Sequence, residues 1–81
     1  MSAAHTLYLE MIDFIASGTT PEAVAQYRPS VQAQQRLEEL LEMAKDGQLT
    51  PEQQAELNQF LELEHILRMA KAQALQILAR S

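Results

Sequence analysis

The chain has no cysteine, so no disulfide and no thiolate metal site can brace it. It holds only two glycines and three prolines, too few for a loop-rich or low-complexity protein. No run of eighteen apolar residues occurs, and the N-terminus has no basic stretch leading into a long apolar one. The expectation is therefore a chain with neither a membrane span nor a secretory signal, resident in the cytoplasm. A phosphate-cradling loop is excluded because Gly18 and Gly47 stand alone, each where a helix should stop. The two histidines, His5 and His65, sit on separate predicted helices, and no Ser/His/Asp set accompanies them.

What remains is helical material. Apolar residues make up 47% of the 81 positions, enough for a folded chain rather than a disordered one. A single domain of this size buries only about 60–65% of its surface, so its own core is marginal and association is the natural supplement. Net charge is −5, unevenly spread. Residues 1–64 carry all eleven acids against Arg28, Arg36 and Lys45, whereas residues 65–81 carry Arg68, Lys71 and Arg80 and no acid. Bases near a helix C-terminus match the helix dipole, and the same polarity could orient an association.

The longest feature is a predicted helix over 51–80. Thr50-Pro51-Glu52-Gln53 is a capping box with proline at the first helical position, and no later glycine or proline interrupts it. Phe60, Leu63, Leu67, Ala70, Ala74 and Ile77 step by three and four, a heptad-like seam. Leu57, Leu61, Leu75, Leu78 and Ile66 widen the apolar arc to about 220°, against the ~100° that one buried face needs. Such a helix calls for partners on two sides. The candidate interface is Phe60, Leu63, Leu67, Ala70, Lys71, Ala74, Ile77 and Leu78, with docking centred on Leu67, Lys71, Ala74 and Leu78.

Upstream, the pattern predicts a first helix over 3–17, with Leu7, Tyr8, Met11, Phe14 and Ile15 on one face and Leu9 opposite. A short second helix follows over 21–27, capped by Thr19 (with Glu22) or by Thr20 before Pro21. Arg28-Pro29 breaks it, and Ser30 caps a third helix reaching Lys45 or Asp46, with a stripe of Ala33, Leu37, Leu40, Leu41 and Ala44. The short link from 46 to 49 implies an antiparallel hairpin of about 30–46 with 51–80. The first helix can fold back along the overhang of the long one beyond about Ile66, since its length matches. The expected fold is all-α: this hairpin, the two N-terminal helices, and a bundle completed by dimerisation.

Two polar constellations merit testing. Glu62 and His65 have the Glu-x-x-His spacing by which a carboxylate and an imidazole on one helix share a metal, a motif that needs a second copy and inward-pointing ligands. Glu62 projects well away from the seam, so no cofactor is assigned, and a metal-binding oxidoreductase or metal store is the alternative reading. Glu64, Arg68 and Lys71 lie close together on one flank beside His65, with Glu64 and Arg68 at ion-pair spacing. They are either long side chains lying over apolar surface or a polar patch fixing the register of an interface. Three bases in the last seventeen residues of an acidic chain, without interleaved aromatics, argue against a nucleic-acid surface.

Tyr27-Arg28-Pro29-Ser30, Leu49-Thr50-Pro51-Glu52 and Leu63-Glu64-His65-Ile66-Leu67-Arg68, taken in this order and spacing, resemble a group of short bacterial, notably cyanobacterial, helical proteins. The similarity covers about residues 14–74. Members look like small antitoxin-like or accessory proteins, some encoded near nuclease genes of the HNH type. The resemblance implies a non-enzymatic, partner-binding role and marks Arg28, Glu64, His65, Arg68 and Lys71 as the positions to follow. After Lys71 relatives tend to be arginine-rich, whereas Gln73, Leu75, Gln76 and Ile77 here are not, which shifts the expectation towards a protein interface. The third possibility is a structural subunit of a larger assembly.

Overall fold

A computed structural model describes residues 2–80, and among these the regular structure is entirely helical. The helices are α1 (Ala3–Ala16), α2 (Pro21–Gln26), α3 (Val31–Lys45) and α4 (Pro51–Ala79). Each boundary falls within one residue of its sequence expectation, and the chemistry of each is visible. Ser2, Thr20, Ser30 and Thr50 are the N-caps, their hydroxyls accepting from the backbone N–H three residues on at 3.1–3.2 Å. Of the two rival caps for α2, Thr20 does the capping. The Thr50 N–H in turn donates to Gln53 Oε1 at 2.9 Å, closing the capping box. Gly18 and Gly47 have φ of +84° and +68°, left-handed angles that reverse the chain after α1 and α3. No atom lies within 4 Å of where a Cβ would sit at either glycine, so backbone angle alone calls for glycine there.

The core is small and wholly apolar. Phe60, Leu7 and Leu40 are its largest fully buried side chains, joined by Ala4, Met11, Ala33, Leu57, Leu63 and Leu67. Tyr27, Leu37, Met43 and Leu49 pack around its edge. Of the apolar face expected on α1, Leu7 and Met11 are buried and Phe14 half-buried, while Tyr8 and Ile15 remain exposed. On α3, Ala33 and Leu40 are buried and Leu37 half-buried, but Leu41 and Ala44 face outward.

The placement of α1 departs from expectation. Ser2, at its start, lines one depression with Arg36, Glu52, Gln53, Ala55, Glu56 and Gln59. Met11, Phe14 and Ile15, near its end, share a small cavity with Ile66, Leu67 and Ala70 of α4 and Val24 and Tyr27 from the α2 segment. The first helix therefore runs beside the N-terminal two-thirds of α4 in the same direction, and does not fold back along the overhang. The reason is connectivity. Only Ser17 to Thr20 separate α1 from α2, and α2 itself packs on α4 more extensively than any other helix does. With Ala23 and Ala25 half-buried, α2 presents small side chains that permit close approach. It occupies the place beyond Leu67, and α1 is left the flank before it. The outline is elongated, 47 × 23 × 18 Å with a radius of gyration of 14.4 Å. A compact chain of this length would have a radius of about 12 Å.

Candidate interaction surface

The chain's own fold consumes much of the apolar arc of α4. Phe60, Leu63, Leu67 and Ala74 are buried, Lys71 and Leu78 are half-buried, and only Ala70 and Ile77 of the eight candidate interface residues are exposed. Leu67 and Ala74 already pack inside this chain, Leu67 in the main core, whereas Lys71 and Leu78 keep part of their surface. The wheel shows how wide the arc is, but not which sector the shorter helices will cover.

The uncovered positions lie on both flanks of the covered sector, Leu61 and Leu75 on one and Ile66 and Met69 on the other. Leu61, Ile66, Met69 and Leu75 of α4 are exposed, Ile66 at 54% and Met69 at 58%. On α1, Tyr8, Ile12 and Ile15 recur at steps of four and three along one side, all exposed, with Ile15 at 64%. Ile15 and Ile66 line the same cavity, so exposed apolar side chains of the two helices meet at their seam. Leu61, Glu62, His65 and Ile66 border a shallow depression at its edge. This surface was hidden in the sequence because Tyr8, Ile15 and Ile66 read equally well as core.

The expected polar patch is not knitted together. Among the described residues, the ion pairs are Arg36–Glu39, Arg36–Glu56 and Lys45–Glu42, so Glu64 and Arg68 do not pair despite their spacing. Lys71 is half-buried, as a stem lying on apolar surface would be, and Arg68 is exposed. Arg28 is exposed beyond the end of α2, with no hydrogen bond or ion pair to Glu64. Glu62 and His65 are both exposed. No group of three or more potential metal ligands occurs among the described residues, so any metal at this pair would need ligands from a second chain.

The strongest polar contact is one that sequence spacing did not suggest. Arg36 on α3 grips both carboxylate oxygens of Glu56 on α4. Its Nε donates at 3.1 and 3.3 Å and its Nη2 at 3.0 Å, while Nη1 reaches Glu39 at 3.1 Å. The Glu56 side chain is only 10% exposed. The hydrogen bond from Glu56 raises the Arg36 guanidinium above its ordinary value. Tyr27 is the other shifted group: burial pushes its phenol up, helped by the charge of Glu10. Its ring packs on Phe14 with centroids 4.6 Å apart. Arg36 ties α3 to α4, and Tyr27 ties the end of α2 to α1.

No helix among the described residues is long and apolar enough to cross a membrane. Comparison with known proteins finds no family model, no curated protein and no solved structure that matches this chain.

Proposed function

We propose that the chain is a non-enzymatic protein-binding module, a small acidic antitoxin-like or accessory protein of the cytoplasm that works through helix–helix contacts. In this reading α3 and α4 form an antiparallel hairpin, and the bundle is completed by a second subunit. The observation that carries it is the exposed apolar surface of Tyr8, Ile12 and Ile15 on α1 with Ile66 and Met69 on α4. Large apolar side chains scattered singly are ordinary on a protein surface, but a patch spanning two helices is the mark of a docking site. The kinship suggested by the Tyr27–Ser30 and Leu63–Arg68 segments points the same way and supplies the antitoxin-like character.

Binding of an apolar fluorescent dye, compared with the Ile66→Asp variant at matched helix content, tests the reading. The parent chain is expected either to bind the dye at this patch or to be shielded from it by self-association seen in sedimentation. A monomer that binds no dye, with Ile66→Asp unchanged from it, would remove the basis for any docking role.

A further inference from the structure

We propose that the cavity where α1, α2 and α4 meet binds a slender aliphatic ligand, a small molecule that inserts the end of an unbranched alkyl chain and leaves its polar end in water. The site lies between helices of one chain and needs no second one, so it stands apart from the docking reading above.

The walls set the chemistry. Met11 and Leu67, 7% and 8% exposed, form the floor. Phe14, Val24 and Tyr27 are half-buried around it, and Ile15, Ile66 and Ala70 are exposed at the rim. No polar atom lines the space. Water needs about two to four polar partners to be held, and it gains none there. A peptide group fares no better, because its buried N–H and C=O would go unpaired. Hydrocarbon loses no hydrogen bond on entry and gains burial.

Size narrows the choice. The cavity holds about 60 Å³. That exceeds the ~10–15 Å³ that one water requires and is under half of the ~150 Å³ that takes a benzene ring. On that scale roughly two or three carbons fit and an aromatic ring does not. A longer chain leaves past Ile15 and Ile66, which are themselves apolar and exposed. Connectivity creates the gap. Helix α1 stops at Ala16, and the left-handed Gly18 turns the chain into α2, so Ala70 stays exposed beside the opening. Ala70 also puts a single methyl where a leucine would plug the space.

Full-length protein with isotope-labelled isoleucine, leucine and methionine methyl groups tests the assignment by nuclear magnetic resonance. The probes are xenon, benzene and the straight-chain alcohols from ethanol to n-butanol. Xenon is expected to shift the methyls of Met11, Ile15, Ile66 and Leu67 and to leave Leu40, Leu61 and Leu75 unmoved. Alcohol affinity at the same methyls is expected to rise about fourfold per carbon, the yield of burying one methylene, and to level off once the cavity is full. Benzene is expected to leave Met11 and Leu67 unmoved. Ala70→Leu is expected to weaken n-propanol binding by at least about tenfold, whereas Ala72→Leu, the same change on the opposite side of α4, is expected to bind like the parent. Should Ala70→Leu lose helix content, Val24→Ile adds one carbon to the wall and is expected to weaken binding about fourfold. The assignment is overturned by probes that shift neither Met11 nor Leu67, or that shift Leu61 and Leu75 as much. It is overturned equally by benzene entering as readily as n-propanol, or by a filled cavity that binds like the parent. None of these outcomes touches the docking reading, since Ile12 and Met69 lie outside the cavity.

Discussion

Arg36 is the residue whose removal would most directly test how α3 and α4 are held together. The structure places the pair between two regimes. A fully desolvated ion pair that loses one partner costs about 3–5 kcal/mol, whereas an exposed pair contributes about 0.2–1 kcal/mol. Glu56 is 10% exposed but Arg36 is 30% exposed, so the carboxylate is nearly dry and the guanidinium is not. Arg36→Met keeps the aliphatic packing, deletes all three contacts to Glu56 and strands its carboxylate. The expected cost is about 1.5–2 kcal/mol, or about 10 °C in melting temperature for a domain of this size. A double-mutant cycle with Glu56→Gln, followed by circular dichroism at one fixed protein concentration, isolates the coupling, expected at about 1–1.5 kcal/mol. Glu39→Gln is the internal control: Glu39 is 63% exposed, so its loss should change stability by about 0.3 kcal/mol or less. The hydrogen bond to Glu56 raises the Arg36 pKa above its ordinary value in the folded state. A raised value stabilises the fold fully below the unfolded pKa and is lost only above it, so the Arg36→Met penalty should be flat from about pH 7 to about pH 10. A coupling below about 0.3 kcal/mol would refute the reasoning and demote the pair to a surface contact.

Thr20→Ala should destabilise by about 1 kcal/mol in thermal melts and Thr19→Ala by under about 0.5, because only the Thr20 hydroxyl accepts the Ala23 N–H. Phe60→Ala should cost about 3–5 kcal/mol against a total of about 4–12 for a chain of this length, leaving it largely unfolded by circular dichroism, whereas Gln59→Ala beside it should fold normally. Burial raises the Tyr27 phenol above 10.0 in the fold, so its contribution is complete below pH 10 and lost as pH climbs through the raised value. The melting temperature should therefore fall as pH rises above 10 and fall less in Tyr27→Phe, which keeps the ring on Phe14.

The parts of the fold that were legible beforehand are those governed by neighbours in the chain. Thr50 and Gln53 close their box across three residues, and Gly18 and Gly47 adopt left-handed angles that few other residues tolerate, so helix ends could be placed without knowing the packing. What lay beyond reach depends on which helix sits where. Arg36 and Glu56 stand twenty residues apart, and no periodicity links them. The heptad-like seam of α4 located Phe60, Leu63, Leu67 and Ala74 correctly as apolar, but a wheel is silent on whether a residue faces its own chain or another. That silence explains why the wheel could not tell that Ile66 and Met69 would stay exposed while Leu67 and Ala74 are buried. The direction of α1 was missed for a related reason. Length matching favoured the overhang, whereas the short turn at Ser17–Thr20 and the small-residue helix α2 had first claim on it.

The exposed surface follows from unequal helix lengths. The 29 residues of α4 span about 43 Å, which accounts for most of the 47 Å long axis. Helices α1 and α3, of 14 and 15 residues, reach about 21–23 Å each, and both sit beside the earlier part of α4. The six residues of α2 add about 9 Å more. Three short helices can therefore wrap one side of the rod along most of its length, but they have no residues left to wrap the other side. A chain selected to be a self-sufficient monomer would place polar residues there, as α3 does with Gln35, Glu38 and Glu42 on its outer face. Here α4 instead exposes Ile66 and Met69 beside Ile12 and Ile15 of α1. With about half of each side chain still in water, the burial forgone is roughly 0.7–1.5 kcal/mol for each, a sum comparable with the lower end of the stability of such a domain. Under the proposed docking, a contact that covered them would add directly to the stability of a marginal 81-residue fold, and binding and folding would form a single equilibrium.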